Sequence, residues 1–295
     1  MNSELDWNLV RTFLAISQEG SLSGALRRLG LSQPTVARHL AMLEAALGAE
    51  LFIRSQRGLT ATEQAQELLP LAAVLGATAS AFMRKASGPA GELRGAVRIS
   101  ASEIIAVEHL PPILAGLRQQ HRQLSIELVA SNAVADLLRR DADIAVRNTE
   151  PRQEALIARR LKPARLGLHA RRDYLDRMGV PKSLADLADF DVIGFDTATP
   201  VERAMGGIAA FDRSAFALRA DSNLVQLAAI RAGYGIGICQ VGIAQREPDL
   251  VRVLADVVDI ALDIWIVMHE DLRANARCRA VFDALVTGLE SAGGP

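Results

Sequence analysis

At Ser87-Gly88-Pro89-Ala90-Gly91 the apolar residues change period, so the two sides of this turn-and-linker cluster cannot belong to one layered core. Before it, the pattern is helical. After it, strand and helix signals alternate for about 200 residues, in the manner of an α/β protein. Half of the 295 residues are apolar and 23% are charged, which excludes disorder as the dominant state. Aromatics make up only 4%, so Ala and Leu must fill most of the core. The N-terminal residues show no basic segment followed by an apolar run, and no stretch is long enough to span a membrane; a cytoplasmic protein is expected.

The first 60 residues read as a nucleic-acid-binding unit. Asp6 to Glu19 forms a helix closed by Gly20, and Ser21 caps a second helix, Leu22 to Leu29, that ends at Gly30. Ser32 caps a third, where Pro34 is harmless because the first turn has no acceptor for its missing N–H. Helix, glycine turn, helix is the pattern of a helix-turn-helix. An apolar stripe of Val36, Leu40, Leu43 and Leu47 leaves Gln33, Thr35, Arg38 and His39 facing outward, with chemistry suited to base edges and phosphates. The alternative is a solvated helix face. Charge favours the first reading: residues 20–60 hold five arginines against Glu44 and Glu50, in a chain whose net charge is -1. Leu51 to Thr60 reads as a hairpin wing that carries Arg54 and Arg57 to phosphates or the minor groove.

The run Ser21-Leu22-Ser23-Gly24-Ala25-Leu26-Arg27-Arg28-Leu29-Gly30-Leu31-Ser32-Gln33-Pro34-Thr35-Val36-Ala37-Arg38-His39-Leu40, followed by Leu43-Glu44, Gly48, Leu51-Phe52, Arg54 and Leu59-Thr60, closely resembles the winged helix-turn-helix of LysR-type transcriptional regulators. It departs at Gly24, where the family has Ala and where Gly is expected to loosen the second helix, and at Gln64-Ala65. The resemblance implies that Ser32, Gln33, Pro34, Thr35, Arg38, His39, Arg54 and Arg57 contact double-stranded DNA.

From Thr62 to Ser87 a period of seven places Ala65, Ala72, Ala79 and Ala86 at one position and Leu68, Leu75 and Phe82 three further on. Such a seam suggests pairing with a second copy of the helix, the alternative being a core helix of one subunit. Pro70 falls opposite the seam. In the resembled family this segment is a linker that joins two subunits, and a homodimer assembling to a homotetramer is the expectation.

Beyond the linker, strands are expected at Ala96 to Ala101, Ser125 to Ala130 and Asp143 to Arg147, alternating with helices at Leu110 to Gln120 and Val134 to Arg140. The pattern restarts with strand Leu166 to Ala170, helix Leu184 to Ala188, strand Val192 to Phe195, helix Val225 to Ala232 and strand Gly237 to Cys239. A strand at Ile264 to Met268 and a helix at Asn275 to Leu289 complete the chain. The pattern gives α/β behind an all-α-type winged helix-turn-helix, and its two subdomains resemble the two-lobed, periplasmic-binding-protein-like effector domain of the same family. The expected divisions are 1–61 for DNA binding, 62–91 for linker and hinge, and 92–295 for effector binding. Lobe I takes about 92–163 and 264–295, lobe II about 164–263, with crossings near Pro163-Ala164 and Asp263-Ile264.

A small organic effector is expected between the lobes, near polar residues at strand ends: Ser100, Ser102, Ser131, Asn132 and Arg147 on one side, Asp196 and Asn223 on the other. Serines beside an arginine suggest a carboxylate, with Glu103 an unfavourable neighbour for it. Each of these residues has a plainer alternative as a capping serine or a surface arginine. Gly233-Tyr234-Gly235-Ile236-Gly237 is not a dinucleotide loop, because it leaves a helix and enters a strand. No cofactor or metal is expected: the five histidines lack metal spacing, Cys239 and Cys278 stand alone, and no catalytic constellation is visible. A DNA-binding regulator is the leading reading. The other is an α/β solute-binding protein or enzyme with a helical dimerisation module.

Overall fold

Three serine or aspartate caps and three left-handed glycines set the frame of the N-terminal unit. Asp6 accepts from the amide of Asn8 and starts α1 (Trp7–Glu19); Ser21 accepts from Gly24 and starts α2 (Leu22–Leu29); Ser32 accepts from Thr35 and starts α3 (Gln33–Leu47). Gly20, Gly30 and Gly48 close the three helices with positive φ. The structure, a computed structural model, describes residues 6–55, 58–86, 93–132, 142–151, 156–197 and 211–292. It divides into two units, Met1–Ala86 and the described residues from 93 onward.

In the first unit the wing is an antiparallel hairpin of β1 (Phe52–Ser55) and β2 (Gly58–Ala61). Two bonds fix it to the helices: Leu51 N–H donates to the Glu44 carboxylate at 2.8 Å, and Leu59 N–H to the carbonyl of Gly20 at 3.0 Å. Phe13, Ile16, Ala25, Val36, Leu43 and Leu51 form the core. Gly24 does not loosen α2. A Cβ there would lie 2.5 Å from Cβ of Glu19, so the glycine permits α1 and α2 to approach closely.

Thr62 caps α4 (Glu63–Ala86), which runs through the exposed Pro70 as one helix. The heptad reading is corrected in one respect. Ala65 and Ala72 are buried in the winged-helix core, with Leu68 and Leu69 packed against it, so the first half of that seam is intramolecular. The exposed apolar residues are instead Leu71, Leu75, Phe82 and Met83. At 100° per residue, Leu71, Leu75 and Phe82 align within about 40°.

The second unit holds two sheets. Sheet I has the order β4-β3-β5-β13-β6, from β3 (Gly95–Ala101), β4 (Leu124–Ala130), β5 (Ile144–Arg147), β6 (Leu156–Arg160) and β13 (Trp265–His269). The parallel core β4-β3-β5 is the βαβαβ pattern of the sequence; the expected helix Val134 to Arg140 lies outside the described residues. On sheet I pack α5 (Glu103–Glu108), α6 (Leu110–Gln120) and the last helix, α10 (Ala276–Ala292).

Sheet II has the order β11-β7-β10-β8-β9, with β12 also on β7. Its strands are β7 (Ala164–Arg171), β8 (Val192–Gly194), β9 (Phe216–Arg219), β10 (Ile236–Gln240), β11 (Leu250–Val253) and β12 (Ile260–Leu262). Helices α7 (Arg172–Met178), α8 (Asn223–Arg231) and the short α9 (Val241–Ala244) accompany it. The second lobe is not a simple repeat of the first, because β7 runs antiparallel to β10, β11 and β12. The expected helix Leu184 to Ala188 is a 3-10 turn, Ala185–Asp189. Gly233 to Gly237 joins α8 to β10 as a tight turn: Gly233 has φ +72°, and a Cβ on Gly235 would meet the Asp191 carbonyl at 2.0 Å.

His169 on β7 is 1% exposed, with Nδ1 2.9 Å from the Gly167 carbonyl and 3.3 Å from Sγ of Cys239. A carbonyl only accepts, so Nδ1 carries the proton. Burial pushes its pKa down from 6.5 to about 4; the Gly167 bond opposes that shift and the charge of Arg252 adds to it. The contribution to stability is complete above pH 6.5 and is lost as the pH falls toward 4, because the unfolded chain takes up the proton first. Between pH 7.5 and pH 5 this costs about 2 kcal/mol. Urea unfolding of the second unit at both pH values is expected to show that loss in the wild type and not in His169→Phe. Equal pH slopes in the two proteins would refute it.

Candidate functional site

The N-terminal half of α3 presents a polar surface whose members differ in how free they are. Ser32, Gln33, Pro34 and Arg38 are exposed. Gln33 and Arg38 have no side-chain partner among the described residues, so an amide and a guanidinium stand in solvent within the first two turns of the helix. Ser32 and Thr35 are engaged with each other, hydroxyl to hydroxyl at 2.8 Å, and form the cap that holds this helix end in place. His39 departs from the outward orientation expected of it. It is half-buried, with Nδ1 2.9 Å from the Thr12 hydroxyl of α1, itself bonded to the Asn8 carbonyl at 2.8 Å. Nε2 alone is left to reach outward. Arg28 is paired with Glu19 at 3.2 Å. The backbone of Arg54 lies in β1, and Arg57 falls outside the described residues.

The second unit contains a cleft of about 540 Å³, within the range of small-molecule sites. Sheet I supplies Ser102, Ile104, Asn132 and Asn148 to its walls. Most of the lining comes from the other lobe and is apolar: Leu166, Ile193, Phe195, Phe211, Phe216, Leu227, Ile238 and Leu262, with the thiol of Cys239. Thr197, Asp221, Asn223, Gln226 and Gln240 complete the lining.

Most of the polar groups in this cleft are already committed. Asn132 accepts from Glu103 N–H at 3.1 Å and donates to the Glu103 carboxylate at 3.4 Å. Gln226 donates to the Ala220 carbonyl at 2.7 Å, and Asn148 to the Asp263 carbonyl at 3.0 Å. Asp221 accepts from the Thr197 amide and hydroxyl and from Asp196 N–H, which together hold its carboxyl below the usual range and keep it ionised. The Ser102 hydroxyl is different: at 8% residue exposure it is buried and has no partner among the described residues. Asn223 also has no side-chain bond among the described residues.

Four residues expected in the cleft are absent from its lining. Arg147 donates to the Ser131 carbonyl at 2.8 Å and to the Ser100 hydroxyl at 2.5 Å. Its guanidinium therefore ties the ends of β3, β4 and β5 together behind the cleft, and burial depresses its pKa. Ser100 and Ser131 are its partners in this brace. Asp196 turns outward to Arg213, at 2.6 Å. Glu103, treated in the sequence as a hazard to an anion, accepts from the Ser222 hydroxyl at 2.9 Å and so reaches across to the other lobe. Ser102, Asn132 and Asn223 do line the cleft. Sequence reasoning missed the apolar lining, whose members sit on strands and loops far apart in the chain and carry no local signal. It also missed Gln226 and Gln240, whose signal is a glutamine inside an otherwise apolar segment.

Cys239 and Cys278 are both buried, in different core clusters, so they do not form a disulfide with each other. Burial pushes the Cys239 thiol up to about 12. Among the described residues no helix is long and apolar enough to cross a membrane, and no cluster of side chains has the makeup of a metal site.

Comparison with known proteins agrees with both units. Residues 7–66 match the family described as bacterial regulatory helix-turn-helix protein, lysR family, and residues 90–290 match the LysR substrate binding domain. A probable hydrogen peroxide-inducible genes activator of Mycobacterium avium is 36% identical over 40% of this chain and 38% of its own length. The Mau operon transcriptional activator of Paracoccus denitrificans is 32% identical over 61% of this chain and 62% of its own. The chain thus spans less than two thirds of either relative in these alignments. The structure of CrgA, a LysR-type transcriptional regulator from Neisseria meningitidis, superposes with a TM-score of 0.61 across 99% of this chain and all of that one, at 24% identity, and so shares the fold. With its two domain types matched in order along nearly its whole length, the chain belongs to the LysR family of bacterial regulatory helix-turn-helix proteins.

Proposed function

We propose that this protein is a sequence-specific, DNA-binding regulator of transcription that responds to a small effector, acts in the cytoplasm and carries out no catalysis. The observation that carries the reading is the free Gln33 and Arg38 pair at the start of α3, beside a wing bonded to the same helical frame. In this reading residues 1–61 read DNA, 62–91 link subunits, and 92–295 bind the effector. Gln33 and Arg38 enter the major groove, and Ser32, Pro34 and Thr35 fix the helix end against the backbone. Nε2 of His39 supplies one further contact, and Arg54 and Arg57 take phosphates or the minor groove.

The effector reading shifts from a carboxylate to a neutral molecule. No lysine or arginine is among the described lining residues, Arg147 is used behind the cleft, and the one charged lining group, Asp221, is an acid. An anion there would be desolvated without a compensating cation. An apolar body with one amide or hydroxyl group fits better: the Phe and Ile side chains take the body, and Ser102 and Asn223 take the polar group. The subunits pair through the exposed stripe of Leu71, Leu75 and Phe82 on α4, and pairs assemble into a tetramer.

For DNA, Arg38→Ala is expected to cost about 1–3 kcal/mol at the cognate site and to relax sequence preference. Arg57→Ala should weaken all duplexes alike and flatten the salt dependence. Anisotropy titrations on the gene's own promoter fragment and on random duplex, at several salt concentrations, distinguish these. Unchanged affinity in both variants would overturn the assignment.

Leu75→Lys places like charges across the subunit seam, and sedimentation is expected to show a lower mass than wild type. A variant of unaltered mass would place the stripe outside the subunit contact. For the effector, thermal-shift measurements with neutral aromatic amides and their matched carboxylates should favour the amides, and Ser102→Val should erase the gain. Larger shifts from the carboxylates would refute the neutral class.

A further inference from the structure

Helix α5 belongs to lobe I, yet Glu103 and Glu108 at its two ends both accept side-chain bonds from lobe II. At its start, Glu103 accepts from the hydroxyl of Ser222, the residue that precedes α8. At its end, Glu108 takes a two-pronged bond from Arg231 of α8, at 2.8 and 3.1 Å, and a further contact from Arg246 at 3.3 Å. Arg246 also donates to the Glu108 carbonyl at 2.9 Å. The next residue, His109, meets Oε1 of Gln240 at 2.8 Å. The Glu108 side chain is only 13% exposed, so this is no loose surface pair: three bonds converge on a carboxylate largely shielded from water. Arg231 is in turn held by Glu247, 2.7 Å from its Nε.

Two features connect this cluster to the cleft. The residues that precede and begin α5, Ser102 and Ile104, line the cleft, and so does Gln240. Gln240 is 5% exposed and spends its carbonyl oxygen on His109. Its amide nitrogen has no bond within the protein among the described residues, which leaves it for the cleft. The chain passes between the lobes at 161–163 and 263–264, where Leu161 N–H bonds to the Ile264 carbonyl at 2.8 Å. Asn148, Leu166 and Leu262 line the cleft beside those passages. The lobes are thus joined covalently at one part of the cleft and only by side chains at α5.

We propose that Glu108, His109, Arg231, Arg246 and Gln240 form a latch that holds the two lobes together beside the cleft, and that Gln240 links occupancy of the cleft to that latch. The coupling role of Gln240 rests on the effector reading above; the latch does not. A molecule that engages the Gln240 amide fixes the side chain that His109 holds, and so favours the latched arrangement. One that displaces Gln240 removes a bond and favours release. Either effect on the lobe angle equals the difference in affinity for the two arrangements.

The test reads lobe separation without any effector. Nitroxides are placed at Gln119→Cys on α6 and Val180→Cys on lobe II, both exposed, while the native thiols are buried. Labelled full-length protein is diluted with unlabelled protein so that distances within one chain dominate. The parent is expected to give one narrow distance distribution. Glu108→Gln, which keeps shape and removes charge, and Arg246→Ala, at a half-exposed position, should each raise a second, longer-distance population by about tenfold. Gln240→Met, which fills the space without the bond, should do so to a smaller extent. Combining Glu108→Gln with Arg246→Ala should give less than the sum of the single effects, because both variants lose the Arg246 contact to the Glu108 carboxylate, while the Arg231 pair and the Arg246 bond to the Glu108 carbonyl are each weakened in one variant only. Parent-like distributions in Glu108→Gln and Arg246→Ala would overturn the latch, and one in Gln240→Met would remove Gln240 from it. None of these outcomes depends on whether an effector binds, so the neutral-effector reading can fail in the thermal-shift series while the latch stands, and the reverse.

Discussion

The chain passes between its two sheets twice, and both passages run side by side: Leu161 bonds to Ile264 across them, and Asn148 holds the Asp263 carbonyl. Much else in the second unit follows from this pairing. Because β13 returns to sheet I and lies between β5 and β6, sheet I can be completed only after the whole second lobe has been made. Burial of Ile264, Ile266 and Met268 in the core of the first lobe then fixes the return passage. A cleft bounded by two such cores has walls that are each closely packed, and Ile104 of the first lobe packs against the core of the second.

Arg147 shows how a strand-end residue divides between ligand and scaffold. A guanidinium beside serines at the end of a parallel sheet has the composition of an anion site, and the sequence supports that reading. The fold instead gives it the Ser131 carbonyl and the Ser100 hydroxyl, two acceptors where three strands end. Its buried charge is tolerated because those acceptors replace part of its lost hydration. With the cation used there, the cleft keeps an apolar lining, in which the Ser102 hydroxyl is the clearest unmet polar group.

What could be read from the sequence was what local chemistry determines. Caps at Asp6, Ser21 and Ser32, glycines after each helix, and the apolar spacing on α3 all act within a turn or two of the chain, and the helices begin and end where those residues direct. The parallel direction of β3, β4 and β5 was legible for the same reason, since alternating elements force a parallel core. Direction in sheet II was not: nothing near β7 shows that it runs antiparallel to β10, which depends on pairing across 70 residues. The expected residues that line the cleft, Ser102, Asn132 and Asn223, lie at chain turns where polarity stands out. The heptads misled in part because α4 has two apolar faces, and a repeat of seven records that both are apolar without saying which is covered from within.

That division of α4 has a mechanical consequence. Its first turns, with Ala65 and Ala72, are part of the same core as α1 and α3, while Leu75 and Phe82 stand outside it on the same continuous helix. Gly76 lies against Leu14 and Trp7 of α1, where a Cβ would come within 3.0 Å of the Leu14 side chain, so the close packing extends beyond the middle of the helix. A helix of 24 residues is about 36 Å long, comparable to one turn of duplex DNA. If two such helices pair along the exposed stripe, their recognition helices are carried by rigid elements with no flexible joint between core and seam. The spacing of half-sites is then set by where the helices cross, and any movement transmitted to that crossing alters how far apart the two reading heads can sit without changing either head's own contacts.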